Sequence, residues 1–268
     1  MNVQRIEVGV GLDIIGDIHG CYDEFIELLH LLGYEEQNGL YKHPVGRKIV
    51  SVGDITSRGP KSIPALQFFI NHKKAGLSYM TDSNHGWKIA RWLDGRKVKL
   101  THGDDTVATD FADFEKKYGH KAAKTLKAES KSLLLEAPSH YILVQDGQDV
   151  AVVTHAGIKD AYIGQDSGKI RDFTRYGDVR GFDEVTGRPL RYDWFLDHTS
   201  PHTIIWGHDP KIEPLFTHNT VNIDQGCVFG GKLTALRYPE MTCLSVQGSH
   251  DFSNNPDNVI ACQKRQRI

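Results

Sequence analysis

Four short apolar runs in this chain each end at a turn carrying a side chain able to bind a metal. Ile14-Ile15 runs into Gly16-Asp17-Ile18-His19-Gly20, and Lys48-Ile49-Val50-Ser51-Val52 into Gly53-Asp54. Ala151-Val152-Val153-Thr154 runs into His155-Ala156-Gly157, and Thr203-Ile204-Ile205-Trp206 into Gly207-His208. Short β-branched runs bounded by glycine predict buried strands. Between them the period changes. Phe25, Leu28, Leu29 and Leu32 recur at helical spacing, predicting a helix over Tyr22 to Leu32 that Gly33 stops. Further helices are expected from Lys61 to Lys73, from Asn84 through Leu93, and over Val107 to Glu136. The last is largely polar, is inserted between Asn84-His85 and His155, and has the character of a cap. From Tyr141 to Val246 the pattern is β-rich, broken by a loop from Gly157 to His202 rich in Asp, Arg and Gly. Long ordered loops tend to be functional, which makes this one a candidate for choosing the substrate.

Alternating strands and helices place the chain in the α/β (α+β) class, where ligands collect at the carboxyl ends of strands. The expected organisation is a single domain over 1–247 with a helical cap insertion at about 107–136. A polar tail, 248–268, carries Asn254-Asn255-Pro256.

Composition narrows the class. With 268 residues, 39% of them hydrophobic, the chain can bury a sizeable core. Its formal net charge of −2 provides no global basic field, so phosphate recognition must be local and stable nucleic-acid binding is not expected. Lys116, Lys117 and the lysines between 121 and 131 alternate with apolar residues as a solvated helix face does. Cys21, Cys227, Cys243 and Cys262 show no CxxC spacing and read as reduced thiols of a cytoplasmic protein. No apolar run approaches the roughly 18 residues of a membrane helix, and Asp13 interrupts the N-terminal one.

The chemistry lies in the turns. Two divalent ions about 3.5–4 Å apart can clamp the attacking and leaving oxygens of an in-line phosphoryl displacement, and a hydroxide shared by them is a nucleophile at neutral pH. Mixed Asp, His and Asn ligands suit manganese, iron or zinc better than magnesium or calcium, because imidazole prefers the borderline metals; manganese is the expected ion, with iron, zinc or nickel as the alternatives. No Ser or Cys nucleophile is needed. Arg58 offers a guanidinium that matches phosphate, and His85 an imidazole suited to proton transfer. Each piece alone is weak, since an Asp-x-His or a Gly-His occurs in many loops; the set in this order is not. Other signals fall away. Gly9-Val10-Gly11 lacks the third glycine of a dinucleotide fingerprint and a strand follows it. No phosphate-binding Gly-x-x-x-x-Gly-Lys-Ser/Thr loop is present. His198 and His202 flank Pro201 and read as loop residues; His102 could reach the pocket from another strand end but reads first as a capping or core residue.

The order Gly-Asp-x-His-Gly, Gly-Asp-x-x-x-Arg-Gly, Asn-His, His-Ala-Gly and Gly-His resembles the calcineurin-like, phosphoprotein-phosphatase-type metallophosphoesterases. Gly16 to Tyr34, Gly168 to Tyr176, Arg191-Tyr192-Asp193-Trp194 and Asn222 to Glu240 are similar to two bacterial branches. These are the asymmetrical bis(5′-nucleosyl)-tetraphosphatases and the phosphatase module of bacterial polynucleotide kinase-phosphatase. The resemblance implies a four-layer αββα sandwich of two mixed sheets flanked by helices. It also implies that Asp17, His19 and Asp54 hold a first ion, and that Asp54, Asn84, His155 and His208 hold a second, with Asp54 as the bridge. His85 would protonate the leaving group, Arg58 would hold the phosphate, and Asp224 would lie near the substrate.

Two departures from the family pattern matter. Ser57 stands where the second Asp of Gly-Asp-x-x-Asp-Arg-Gly is usual, and Gly86 stands where an acid usually follows Asn-His. The expectation is an intact metal centre with proton delivery weakened or rewired, Asp82 being the candidate substitute. The functional reading is a metal-dependent phosphoesterase in which a metal-bridging hydroxide attacks a phosphate ester or anhydride. The substrate is expected to be a dinucleoside polyphosphate or a nucleotide 2′- or 3′-phosphate. A serine/threonine or tyrosine phosphoprotein phosphatase is the alternative within the class. Outside it stands a pseudo-phosphatase that holds metal and binds phosphorylated ligands without turning them over. The sequence leaves the oligomeric state open.

Overall fold

The computed structural model describes residues 4–184 and 189–252. The first half runs β1 (Gln4–Glu7), β2 (Leu12–Ile15), α1 (Tyr22–Leu32), β3 (Glu35–Gln37), β4 (Leu40–Lys42), β5 (Lys48–Ser51), α2 (Ser62–Lys74), β6 (Ser78–Met80) and α3 (Asn84–Leu93). Two further helices, α4 (Asp105–Tyr118) and α5 (His120–Glu136), lead to the second half. That half comprises β7 (His140–Gln145), β8 (Gln148–Thr154), α6 (Gly168–Tyr176), β9 (Asp178–Phe182), β10 (Pro189–Tyr192), β11 (Thr203–Trp206), β12 (Leu215–Thr217), β13 (Thr220–Asn222), β14 (Asp224–Gln225), β15 (Lys232–Tyr238) and β16 (Thr242–Gln247).

Two mixed six-stranded sheets form the middle of the molecule. One has parallel β2, β5 and β6, with antiparallel β15 beside β2 and both β14 and β16 paired to β15. The other follows the order β1-β7-β8-β11-β13-β12, with β8, β11 and β13 parallel. Strand neighbours point to opposite faces, and here both faces are covered. Ile14 and Val50 of one sheet meet Val153 and Ile205 of the other between the sheets. Ile15 and Ile49 face α1 and α2. Ile142, Val152, Ile204 and Trp206 face Trp194 and Phe195 on the far side, with Phe173 of α6 packed against them. That two-sided burial explains why these strands are continuous apolar runs rather than alternating ones. Each fully buried aliphatic side chain contributes about 1.5–3 kcal/mol. Asp13, the one charge inside β2, is buried and paired with Arg47 and Arg237.

The layers are those of an αββα sandwich, as the resemblance implied. Two segments differ in detail from the expectation. The helical stretch over Val107 to Glu136 is two helices broken at Gly119 (φ 87°). Both dock on α2, α5 also packs on α3, and they bury Val107, Phe111, Leu126 and Leu133 in the same core as α1. The stretch from Gly157 to His202, read as a loop, contains α6 and the β9–β10 hairpin. Ser167 caps α6 by accepting a hydrogen bond from the Ile170 N–H, but the helix buries only Ile170, Thr174 and Arg175, too few apolar positions to show a period. Of the polar tail, 253–268 lie outside the described residues, as does Cys262.

Candidate metal centre and phosphate pocket

The sheets bring the turns to one rim. The strand-end loops are cross-tied: the His19 N–H donates to the Asp54 carbonyl (2.7 Å) and the Gly207 N–H to the His155 carbonyl (2.8 Å). Ser83 caps α3 and its Oγ also accepts from the Asp54 N–H (3.0 Å), linking Asp54 to the helix that begins with Asn84 and His85. His19, Asp54 and His208 hold positive φ values of 46°, 44° and 70°. For non-glycine residues such backbone costs of order 1–3 kcal/mol each and persists where surrounding contacts impose it. Gly207 permits the closest approach: a Cβ there would lie 2.1 Å from Asp17 Oδ1. The Asp17 carboxylate instead accepts the His208 N–H (3.1 Å), and the Asn222 side chain braces the same loop through the Asp209 carbonyl (3.1 Å).

Two triads of potential ligand atoms share Asp54. One is His19, Asp54 and His85; the other is Asp54, His155 and His208; within each triad the ligand atoms lie within 4.8 Å of one another. Asn84 Oδ1 sits 2.8 Å from His155 Nε2. Asp17 belongs to neither triad; it is buried beside them, engaged with the His208 backbone. The donor set fits a cation. His19 Nδ1 faces the Thr56 carbonyl (3.1 Å) and His155 Nδ1 the Val52 carbonyl (3.0 Å). A carbonyl only accepts, so each ring carries its proton on Nδ1 and presents a bare Nε2, the arrangement of ligating histidines whose other nitrogen is held by a carbonyl. Both bare nitrogens lie 3.4 Å from Asp54 Oδ2. Imidazole, amide and carboxylate lone pairs thus converge on one spot. Burial pushes His19 down to about 3 and also lowers His208, keeping both in the neutral form that binds metal. Burial, and then the charges of Asp224 and Asp54, raises Asp17 well above the usual carboxylate range. Burial likewise pushes Asp224 up to about 7. Crowding carboxylates this way is favourable once a divalent ion lies among them.

His85 is held by charged side chains rather than by a backbone carbonyl. Its Nδ1 is 2.6 Å from Asp104 Oδ1 and its Nε2 is 3.1 Å from Arg58 Nη2, so both ring nitrogens are engaged. Asp104, which sequence reasoning missed, is fully buried; burial is the largest influence and raises its pKa, but the hydrogen bond and charge of His85 together with Lys88 and Ser57 hold it below the usual value. Asp82, the expected substitute, is committed elsewhere, to Arg175 Nε (2.8 Å) and Arg171 Nη1 (3.2 Å). Both guanidinium groups bond Asp82 Oδ2 and turn the carboxylate toward α6, while His85 Nδ1 takes Asp104 as its partner. His102 is neither cap nor core: it is exposed and lines the pocket. His198 pairs with Asp160 and with the His202 carbonyl, a loop role.

A cleft of about 590 Å³ opens over these groups. Arg58 stacks on Phe229, its guanidinium carbon 5.0 Å from the ring centroid. Asp224 lines the floor beside His208, and Trp87, Arg91, Tyr176 and Arg191 line the rim. Arg191 Nη2 lies 3.0 Å from His208 Nε2. Tyr176, Arg191 and Phe229 fall within segments that carry the resemblance; Trp87 becomes meaningful only once the cleft is seen.

The family model of calcineurin-like phosphoesterases matches residues 12–211. The chain belongs to the calcineurin-like phosphoesterases. Its curated relatives span it nearly end to end. The "Bis(5′-nucleosyl)-tetraphosphatase PrpE [asymmetrical]" of Halalkalibacterium halodurans is 39% identical over 249 residues, 91% of this chain and 98% of that one. The protein of the same name from Bacillus cereus strain ATCC 14579 is 42% identical over 243 residues, 90% and 95% of the two chains. Among solved structures, a protein provisionally described as a diadenosine tetraphosphatase shares the fold with a TM-score of 0.62 at 21% identity, covering 92% of this chain and 98% of that one. A serine/threonine phosphatase from Saccharomyces cerevisiae shares it at 0.58 and 12%, covering 92% and 83%. The phosphoesterase is therefore a metal-dependent hydrolase of its family, with His and Asp clusters that can hold divalent ions. Among the described residues no helix is long and apolar enough to cross a membrane.

Proposed function

We propose that this phosphoesterase hydrolyses the polyphosphate bridge of a dinucleoside polyphosphate, using two divalent ions, manganese first among them. The observation that carries the reading is the shared position of Asp54 between two histidine-containing triads beside Arg58. Kinship with proteins named asymmetrical tetraphosphatases supports the substrate class. On this reading His19, Asp54 and the neighbouring Asp17 hold one ion. Asp54, Asn84, His155 and His208 hold the other. Bound there, the ions supply an activated water at neutral pH and positive charge against the phosphoryl group. Residues 1–247 act as one catalytic unit with the helices at 107–136 in its outer layer. The buried free thiols Cys21 and Cys227 fit a cytoplasmic setting.

The chain's own groups do the rest. Arg58, pre-set by Phe229, meets the equatorial phosphate oxygens through a fork of donors. As phosphate draws Arg58 away from His85, the imidazole can carry a proton on Nε2 and give it to the leaving-group oxygen while the phosphorus–oxygen bond to that group breaks. Asp224 lies on the floor where the leaving portion rests. Trp87 and the 40% exposed Tyr176 provide aromatic faces for a base, and Arg91 and Arg191 provide charge for the distal phosphates. The test is turnover of diadenosine tetraphosphate, 2′,3′-cyclic AMP and a phosphopeptide side by side with manganese. The dinucleotide should give the highest kcat/KM. A phosphopeptide turned over faster would move the assignment to a phosphoprotein phosphatase, and metal uptake without product from any substrate would make the protein a binder.

A further inference from the structure

Ser57 occupies the position at which the family motif carries an acid, and the fold brings another acid to the same place. Ser57 and Arg58 lie in a buried loop with φ values of 78° and 73°. The turn ending at Asp104 is packed directly on that loop. The Arg58 N–H donates to the Gly103 carbonyl at 2.7 Å, and a Cβ on Gly103 would lie 2.6 Å from Arg58 Cγ. The next residue, Asp104, points Oδ1 at His85 Nδ1 (2.6 Å). Its other oxygen lies 2.7 Å from Lys88 Nζ. Lys88 is itself anchored on Thr101 through the carbonyl (3.1 Å) and Oγ1 (2.7 Å). One carboxylate oxygen thus orients the imidazole while the other is clamped by a lysine one helical turn from His85.

We propose that Asp104 is the positioning residue for His85, replacing from a separate point in the chain the carboxylate that the motif places at 57, with Lys88 holding it in place. The proposal rests on the reading of His85 as the proton donor. It also sets the outcome of Ser57→Asp. With Asp104 present, a second acid there duplicates a filled role and adds a like charge, so the single substitution should not raise turnover. The acid at 57 becomes useful only when Asp104 is neutralised.

The experiment measures kcat for the manganese-loaded full chain on an alkyl phosphate, whose leaving group needs a proton, and on p-nitrophenyl phosphate, whose leaving group does not. Positioned proton transfer contributes about 10²- to 10⁴-fold. Asp104→Asn should therefore lose about 10²-fold or more on the alkyl ester, about tenfold or less on p-nitrophenyl phosphate, and leave KM little changed. Adding Ser57→Asp to that variant should restore at least about tenfold on the alkyl ester alone. Lys88→Met, which keeps Asp104 in the chain, should show the same selectivity at smaller size, and it carries the test if Asp104→Asn does not fold. Equal losses on both esters without rescue, in folded protein that still binds manganese, would mean that Asp104 only braces the loop. If His85→Asn itself loses equally on both esters, the proton-donor reading fails rather than the Asp104 assignment.

Discussion

The two walls of the cleft are built on different terms. In the wall formed by Arg58, His85, Lys88 and the turn at 101–104, the proton donor and its acid are closed in, although His102 of the turn is exposed. Asp104 is 0% and His85 4% exposed, and the turn is tied to the Arg58 backbone. The opposite wall, formed by α6 and the β9–β10 hairpin, is open: Phe182 is 67% and Leu190 51% exposed, and Arg191 reaches in from its edge. The difference follows from what each must do. A proton donor and a phosphate clamp act only within a few tenths of an ångström of one geometry, which close packing and shared hydrogen bonds enforce. Choosing a substrate requires charge and an aromatic surface near the rim, which a lightly packed hairpin can supply.

The largest effect should come from below both walls. Asp54→Asn should reduce turnover of every substrate by about 10³-fold or more and weaken metal uptake, since the one residue common to both triads loses its charge. Loss on one substrate only would break the idea of a shared floor. Next, Arg58→Lys on the closed wall should cost about 10²-fold in kcat on all substrates. The charge is retained but the fork and the stack on Phe229 are lost.

A third effect concerns stability and belongs to neither wall. Burial lowers the pKa of His140 from 6.5 to about 4, with its Nε2 accepting the Gly164 N–H. The folded state therefore binds its proton less readily than the unfolded chain. The resulting stability is complete above about pH 6.5 and is lost as pH falls toward 4. At about 1.4 kcal/mol per pKa unit, lowering pH from 7 to 5 should cost about 2 kcal/mol through this residue. Urea unfolding of His140→Gln at the two pH values should show that much less acid loss than the parent; an unchanged slope would remove His140 from the account. The smallest effect tests the open wall. Arg191→Ala should raise KM for diadenosine tetraphosphate about tenfold and change p-nitrophenyl phosphate turnover about threefold or less, because a distal phosphate contact matters only to long substrates. Equal effects would show that the open wall acts in the chemical step.

How far these features could be read from sequence follows the same division. The sandwich and the metal turns are local signals: a β-branched run, a glycine, then a ligand residue, with the strand doing the positioning. α1 and α3 are visible because Phe25, Leu28 and Leu32 keep a period, and because Asn84 opens a helix behind the Ser83 cap. Asp104 is not visible in the same way. It sits just before α4, where an acid ordinarily reads as a helix cap, yet its side chain makes no cap and crosses to His85 instead. Only the docking of Gly103 on Arg58 reveals the substitution for position 57. Asp82 looked better in sequence because it is two residues from Asn84, but two arginines from α6 claim it. α6 and the hairpin were hidden because they bury so little that no apolar period marks them.

Manganese stoichiometry, measured by elemental analysis of the parent and of Asp54→Asn after identical loading and desalting, tests the central claim most directly. The account predicts two equivalents in the parent, a clear loss in the variant, and phosphatase activity that disappears in chelator and returns with manganese. Less than one equivalent in the parent, with activity persisting in excess chelator, would contradict it.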